Sequence, residues 1–315
     1  MKWSELKKGW DSDMRNNQER VIDAVRAGHY VQPEFRSVHI KHPKDPLLVA
    51  SVQMMSDALH LGEPGDSVRV TVSHRTAQAI ADLLDLRMPT QWLADRNDDA
   101  AVERRDPQVW LKTEGATSDV RTMELDSDAI TEVCGKSCTW ISGPWKIWIN
   151  SPRLMQPQAE LFGKNTAINY GGWSKLAPSA STGKRNVYQS PGGRHPIDHV
   201  DESQKFWAVD DLVLITWGKE GEDITDLMSL DQVAQHPDLW PLVSHTGPIL
   251  MRHPWIPPCV SLEEGGSCPG GFSGGGGGGS VPTAGTSRGK RLAAAGGVIA
   301  GAAALAYGAS RWLKL

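Results

Sequence analysis

The sequence predicts an α+β fold, and three observations predict it. Helix-type spacing with well-placed caps fills much of the first hundred residues, short β-branched and aromatic runs follow, and one more helical segment closes the folded part. The expected globular domain covers 1–258, with a helical part at about 1–100, a β-rich part at about 105–220 and a helical return at about 229–245. A Gly-rich flexible linker over 259–287 and a basic-flanked, membrane-inserting helix over 288–315 complete the 315 residues.

From Ser12, Met14, Val21, Ile22, Ala24 and Val25 recur on one helical face that ends near Gly28. Asp45 as N-cap, Pro46 at the first position and Gly62 as terminator frame a second helix through LLVASVQMMSDALHLG. GEPGDS then turns the chain, and Val68, Val70 and Val72 alternate with Arg69 and Thr71 as a short strand. Ser73 caps a helix through HRTAQAIADLLDL, and Thr90 caps another beginning at Gln91.

From about Val109 the runs VWLKT, TWIS, WKIWIN, TAINY, NVYQS, KFWAV and DLVLITW are brief and separated by turn-forming residues, the mark of a mostly antiparallel sheet. Ser229 and Gln232 form a capping box that opens LDQVAQ, and Pro237 stops that helix at His236. No internal repeat is present.

The 33 Lys+Arg against 37 Asp+Glu give a formal charge of -4, which removes the global attraction that nucleic-acid binding requires. The start of the chain has lysines but no apolar stretch of seven or more residues, unlike a secretory signal peptide. Cys134, Cys138, Cys259 and Cys268 are too few for a disulfide-built fold, and their spacing does not suit a zinc ribbon. Unpaired thiols are the leading expectation, ahead of disulfides and of zinc.

The tail changes character. Six consecutive glycines from Gly274 to Gly279 mark a linker, and the coil from Gly265 to Ser287 spans roughly 25–30 Å. Leu292 to Ser310 then carries no charge, with basic residues on both sides and Trp312 at one boundary. Such a segment just crosses a bilayer core, with Leu292, Val298, Ile299, Leu305 and Trp312 as membrane-contacting residues. Gly297 and Gly301 form a GxxxG pair that predicts self-association of this helix. The expected location is a membrane, held by a single C-terminal span with the main domain on the cytoplasmic side.

The densest chemistry is GGRHPIDHVDES. His199, Asp198 and Asp201 are candidates for a histidine base with an orienting carboxylate. His195, His199 and Asp198 are candidates for a divalent metal ion, the cofactor such a set would take, and a solvated polar loop would explain the same letters. Pro196 keeps this run off a regular helix. Trp140, Trp148, Trp173 and Trp207 fall in the β-rich part, where they either stack on a partner or, more commonly, pack the core. Neither a nucleophile elbow nor a phosphate loop is found.

The order DSVRVTVSHRTAQAIADLL, MPTQWLADRNDDAA, GKNTAINYGGW and LDQVAQHPDLWPLVSHTGPI resembles a family of uncharacterised bacterial proteins over roughly two thirds of the chain, from His42 to Pro254. The resemblance implies a Tyr-Gly-Trp-His segment and a later Asp-Tyr-Ser-His-Gly segment followed by Arg. Here Tyr170, Gly171, Gly172 and Trp173 precede Ser174 instead of histidine, and Val209, Asp210, Asp211 and Val213 stand about where Ser, His, Gly and Arg are expected. It therefore implies a member whose polar site is degraded.

Two functions follow. One is a membrane-tethered, non-catalytic binding or assembly module that contacts the lipid bilayer and a protein or glycan partner through its tryptophan-bearing sheet. The alternative is a hydrolase acting on an envelope polymer such as peptidoglycan, with His199 as base.

Overall fold

The computed structural model describes residues 1–106, 118–134, 139–154, 166–173, 187–219, 222–254 and 256–259. The chain divides into units Met1–Gly278 and Gly279–Leu315, and every described residue belongs to the first. The architecture is α+β.

The helices are α1 (Trp3–Leu6), α2 (Gln18–Arg26), α3 (His74–Leu83), α4 (Gln91–Ala100), α5 (Val120–Cys134) and α6 (Leu230–Gln235). Their starts follow the expected chemistry. The Ser73 hydroxyl accepts from Thr76 N, that of Thr90 from Leu93 N, and Ser229 with Gln232 closes a capping box. Gly28, at φ 75°, ends the turn that follows α2, a conformation that only glycine adopts without strain.

Five strands form the largest sheet: β14 (Glu222–Ser229), β13 (Val209–Lys219), β3 (Leu48–Met55) and β2 (Phe35–Lys41), with β6 (Leu86–Arg87) also on β13. A second sheet joins β1 (Tyr30–Val31), β4 (His60–Glu63) and β5 (Asp66–Arg69). A third runs in the order β11 (Val187–Pro196), β10 (Thr166–Trp173), β9 (Lys146–Trp148) and β12 (Gln204–Lys205), while β7 (Glu103–Arg104) pairs with β8 (Ile141–Ser142). Among these pairings β12 with β9 and β7 with β8 are parallel and the others antiparallel.

The expected helix over 46–62 is instead β3, a turn and β4. Leu48, Ala50, Val52 and Met54 are buried while Val49, Ser51 and Gln53 between them are less so, a period of two that a strand inside a sheet imposes. Asp45 does cap, but its carboxylate receives Leu47 N in a turn between β2 and β3. The first hundred residues are accordingly not mainly helical: they supply six strands. Helix α5, inside the supposed β-rich part, was equally unexpected from the sequence.

Two buried cations, Arg69 and Lys205, fix α5 to the sheets. Arg69, almost fully buried, donates to both Asp57 oxygens at 2.9 and 2.7 Å and to Ser127 O and Thr131 Oγ1 of α5 at 3.1 and 2.8 Å. Burial alone would raise the Asp57 pKa, but Arg69 and His60 outweigh it and hold it at about 2. Lys205 Nζ lies 2.8 Å from Asp126 Oδ2, both side chains being almost completely enclosed.

Cys134 and Cys259 are disulfide-bonded, and no described cysteine is free, which corrects the expectation of unpaired thiols. Their neighbourhood is apolar and partly buried, so each sulfur packs against the core. Cys138 and Cys268 lie outside the described residues, as do linker residues 260–287 and the membrane residues Leu292, Val298, Ile299, Leu305 and Trp312 with Gly297 and Gly301. Among the described residues no helix is long and apolar enough to cross a membrane.

Candidate functional site

The third sheet sorts its side chains by chemistry. Tyr170 donates its hydroxyl to Asp95 of α4 at 2.7 Å, so one face of β10 is tied to that helix. On the other face, the ladder sets Asn169 opposite Trp148 and Lys146 opposite Gly171, while Gln204 on β12 pairs with Lys146 and His195 on β11 with Ala167. Residues paired across strands share a face. That face therefore carries Lys146, Trp148, Asn169, Gln204 and His195.

Above it, the chain leaving β11 turns back. His199 N bonds Pro196 O, and a second turn closes with Gln204 N on Asp201 O and Asp201 N on Gln204 Oε1, at 3.0, 3.0 and 3.1 Å. This double closure fixes Asp201, whose carboxylate receives Ser203 N at 3.0 Å, the Ser203 hydroxyl and Lys146 Nζ at 2.8 Å. His199 Nε2 lies 3.4 Å from Asp201 Oδ2, and the His199 ring stacks on His195 at 4.2 Å between centroids, 22° from parallel. The result is a continuous bridge from β9 to β11: Lys146, Asp201, His199, His195.

The electrostatics follow from burial. Asp201 is 8% exposed, which by itself would raise its pKa, yet contacts from His199, Lys146 and Ser203 hold the carboxyl well below the usual range. Burial lowers the His195 pKa, helped by His199 and Lys146, so that ring is neutral near pH 7. Burial and the neighbouring Asp201 raise Glu202. The His199 side chain keeps 32% of its surface exposed. It is a solvent-reaching imidazole backed by an ionised, buried carboxylate.

Of the sequence-derived candidates, His195, His199 and Asp201 are brought together. Asp198 is not: it faces Arg75, which donates from Nε and Nη2 at 2.7 and 3.1 Å. It cannot orient His199. The metal set His195, His199 and Asp198 is corrected for the same reason, and also because near-parallel stacked rings direct their nitrogen lone pairs side by side instead of toward one ion. No cluster of three metal-ligating side chains occurs among the described residues.

Of the two readings of the tryptophans, core packing holds for three and the binding role is corrected for them. Trp148, Trp173 and Trp207 are buried, with their indole N–H groups on Val72 O, Asp95 Oδ1 and Met55 O at 2.8, 3.4 and 2.6 Å. Trp140 is half-buried and donates to Asn97 Oδ1 at 2.9 Å. Trp148, Trp173 and Trp207 join loops and strands to the core and present no stacking face.

Sequence reasoning missed Lys146, Ser203, Asn169 and Gln204. The available signal was polarity out of place: Lys146 interrupts two tryptophans in WKIWIN, and Asn169 stands inside the apolar run TAINYGGW. The structure thus defines an α+β protein with one connected polar cluster on its third sheet. The chain matches no family model, no curated protein and no solved structure.

Proposed function

We propose that the chain is a hydrolase acting at a membrane on an envelope polymer such as peptidoglycan, with His199 as general base and Asp201 as its positioning residue. The observation that carries this reading is the half-exposed His199 ring set against a buried Asp201 that Lys146 and Ser203 hold ionised. With Nε2 turned to Asp201, Nδ1 is the nitrogen that takes a proton from an attacking water, and the carboxylate stabilises the imidazolium that forms. The non-catalytic binding reading rests on a tryptophan-bearing surface, and three of its four tryptophans, Trp148, Trp173 and Trp207, are enclosed.

A further observation supports the hydrolase. Disulfide bonding at Cys134 and Cys259 fits an oxidising compartment such as the envelope, where the polymer is found, and so favours the domain on the side of the membrane opposite to the cytoplasmic one expected from the sequence. Membrane attachment through 288–315 would hold the site near its polymer.

The test is release of soluble fragments from purified peptidoglycan by the full chain. The parent should release fragments, and His199→Ala should slow release by at least about 100-fold with its fold retained, the range of a general base. Release by His199→Ala at the parent rate, or none by the parent, overturns the proposal. Retention on the polymer without cleavage would return the chain to the binding class.

A further inference from the structure

Lys146 and Lys205 each lie 2.8 Å from an aspartate, and their surroundings differ. Lys146 Nζ donates an aligned hydrogen bond to Asp201, a carboxylate that also receives Ser203 N and sits 3.4 Å from the part-exposed His199 ring. Lys205 is shut away from solvent. Its side chain is 0% exposed and that of Asp126 1%, between α5, β12 and the chain that leaves β5. The aligned hydrogen bond of the Lys205 ammonium goes to Thr71 Oγ1 at 3.1 Å, and that hydroxyl donates onward to Glu202 O at 3.2 Å. Asp126 Oδ2, although closer, lies off the direction a hydrogen bond takes. Thr71 therefore holds the nitrogen against the carboxyl group.

Enclosure sets the chemistry. Two charges taken out of water lose more hydration than their attraction readily returns, so transfer of a proton from Nζ to the carboxylate, giving a neutral amine and a neutral acid, becomes accessible. The amine then carries an electron pair, and the Asp126 carboxyl carbon is one bond from the oxygen it already touches. Partners held in this way react without a diffusional encounter. Burial, then Asp201 and, more weakly, Asp126 raise the Glu202 pKa, so a carboxyl that keeps its proton more tightly than usual lies within electrostatic reach of the pair.

We propose that Lys205 and Asp126 condense to an intramolecular amide, a covalent modification that ties α5 to β12. Nζ attacks the Asp126 carboxyl carbon, and the new C–N bond replaces one C–O bond. The ion pair supplies every atom: of the three ammonium hydrogens one stays on nitrogen, and two leave with the oxygen as water. The product carries no charge, which suits an enclosed site, and escape of the water opposes reversal. The link is independent of the hydrolase reading. It closes residues 126–205 into a loop that constrains the unfolded chain as a disulfide does but survives reduction.

The experiment uses the full chain, with disulfides reduced in denaturant, and reads its intact mass and its tryptic map. The parent should be lighter than its sequence mass by one water. Trypsin should release 122–136 joined to 195–219, uncut after Lys205, while cleavage after Lys146 proceeds as usual. Lys205→Met should have the full mass of its own sequence, and so should Lys205→Met with Asp126→Leu, which strands no charge.

A parent at its full sequence mass and cut after Lys205 overturns the proposal and leaves an ordinary buried ion pair. A parent that has lost water yet is still cut after Lys205 overturns it too, because an aspartate has then closed on its own backbone. So does a Lys205→Met chain that remains one water light. The two measurements on the parent decide the matter whether or not either variant folds.

Discussion

His74 makes folding a proton-linked equilibrium. Its ring is fully enclosed, neither nitrogen has a hydrogen-bond partner among the described residues, and the rings of Trp148 and His253 lie 5.4 and 4.7 Å away. Burial, and then His253, push its pKa well below 6.5. The sign is fixed by which state binds more protons: below 6.5 the unfolded chain protonates this ring and the folded chain resists, so stability falls as pH falls. His253, also lowered by burial, adds to that slope, whereas Glu202, Asp82 and Asp211, raised by burial, oppose it at lower pH. His74→Leu should therefore flatten the loss of urea-unfolding stability between pH 7.5 and 5.5. A slope equal to the parent's would show that the ring gains a proton in the folded state.

Asp201 carries a second prediction at this scale. Its loss leaves the 9%-exposed Lys146 without a counter-charge, so Asp201→Asn should destabilise the fold by about 3 kcal/mol, measured by urea unfolding. Lys146→Met together with Asp201→Leu should cost less than that, because no charge is stranded. If the single change were neutral, the ion pair would be solvated in spite of its burial. His195, Asp198, His199 and Asp201 were legible as a cluster because they stand within seven positions of one another. Which of them work together was not legible, since Arg75 and Lys146, which claim Asp198 and Asp201, arrive from other elements.

At the scale of elements, caps were legible and periods were ambiguous. Ser73, Thr90 and Ser229 act on amides within three positions, so their role is written locally. LLVASVQMM is almost wholly apolar, and such a run does not separate a period of 3.6 from one of two; only pairing with β2 and β13 decides. Asn169 and Lys146 were hidden for the same reason, because strand pairing and not sequence proximity sets them on one face. The strand assignment can be tested by adjacent substitutions. Val52→Lys places a charge in the core and should cost about 4 kcal/mol or prevent folding, while Gln53→Lys next to it should stay within about 1 kcal/mol. A helix would not separate neighbours in this way along the whole of 48–55, and similar costs at both positions would reject β3. Ser229→Ala should cost about 1 kcal/mol, read as a shift in the urea midpoint, through loss of the α6 cap.

For the whole molecule, the α+β class was legible because the chain carries both capped helices and short alternating apolar runs, while the membrane segment is an expectation that rests on an uncharged run between basic clusters. That segment carries the last prediction. An Ala- and Gly-rich span has little apolar surface per residue, so insertion of this segment would rest on length and on the flanking Arg288, Lys290, Arg291 and Arg311 at the two interfaces. An attachment made by apolar burial is indifferent to salt, whereas one made by these basic residues on anionic lipid weakens once the Debye length falls to about 3 Å at 1 M salt. The full chain should therefore stay in the membrane fraction through 1 M salt and alkaline carbonate, and removal of 288–315 should release a domain that still melts cooperatively. Salt-sensitive attachment would make the segment a surface-bound basic helix, and the site would then act from the membrane surface without a span. Recovery of the full chain in the soluble fraction would remove the membrane from the account altogether, and with it the reason for placing the His199 site next to an envelope polymer.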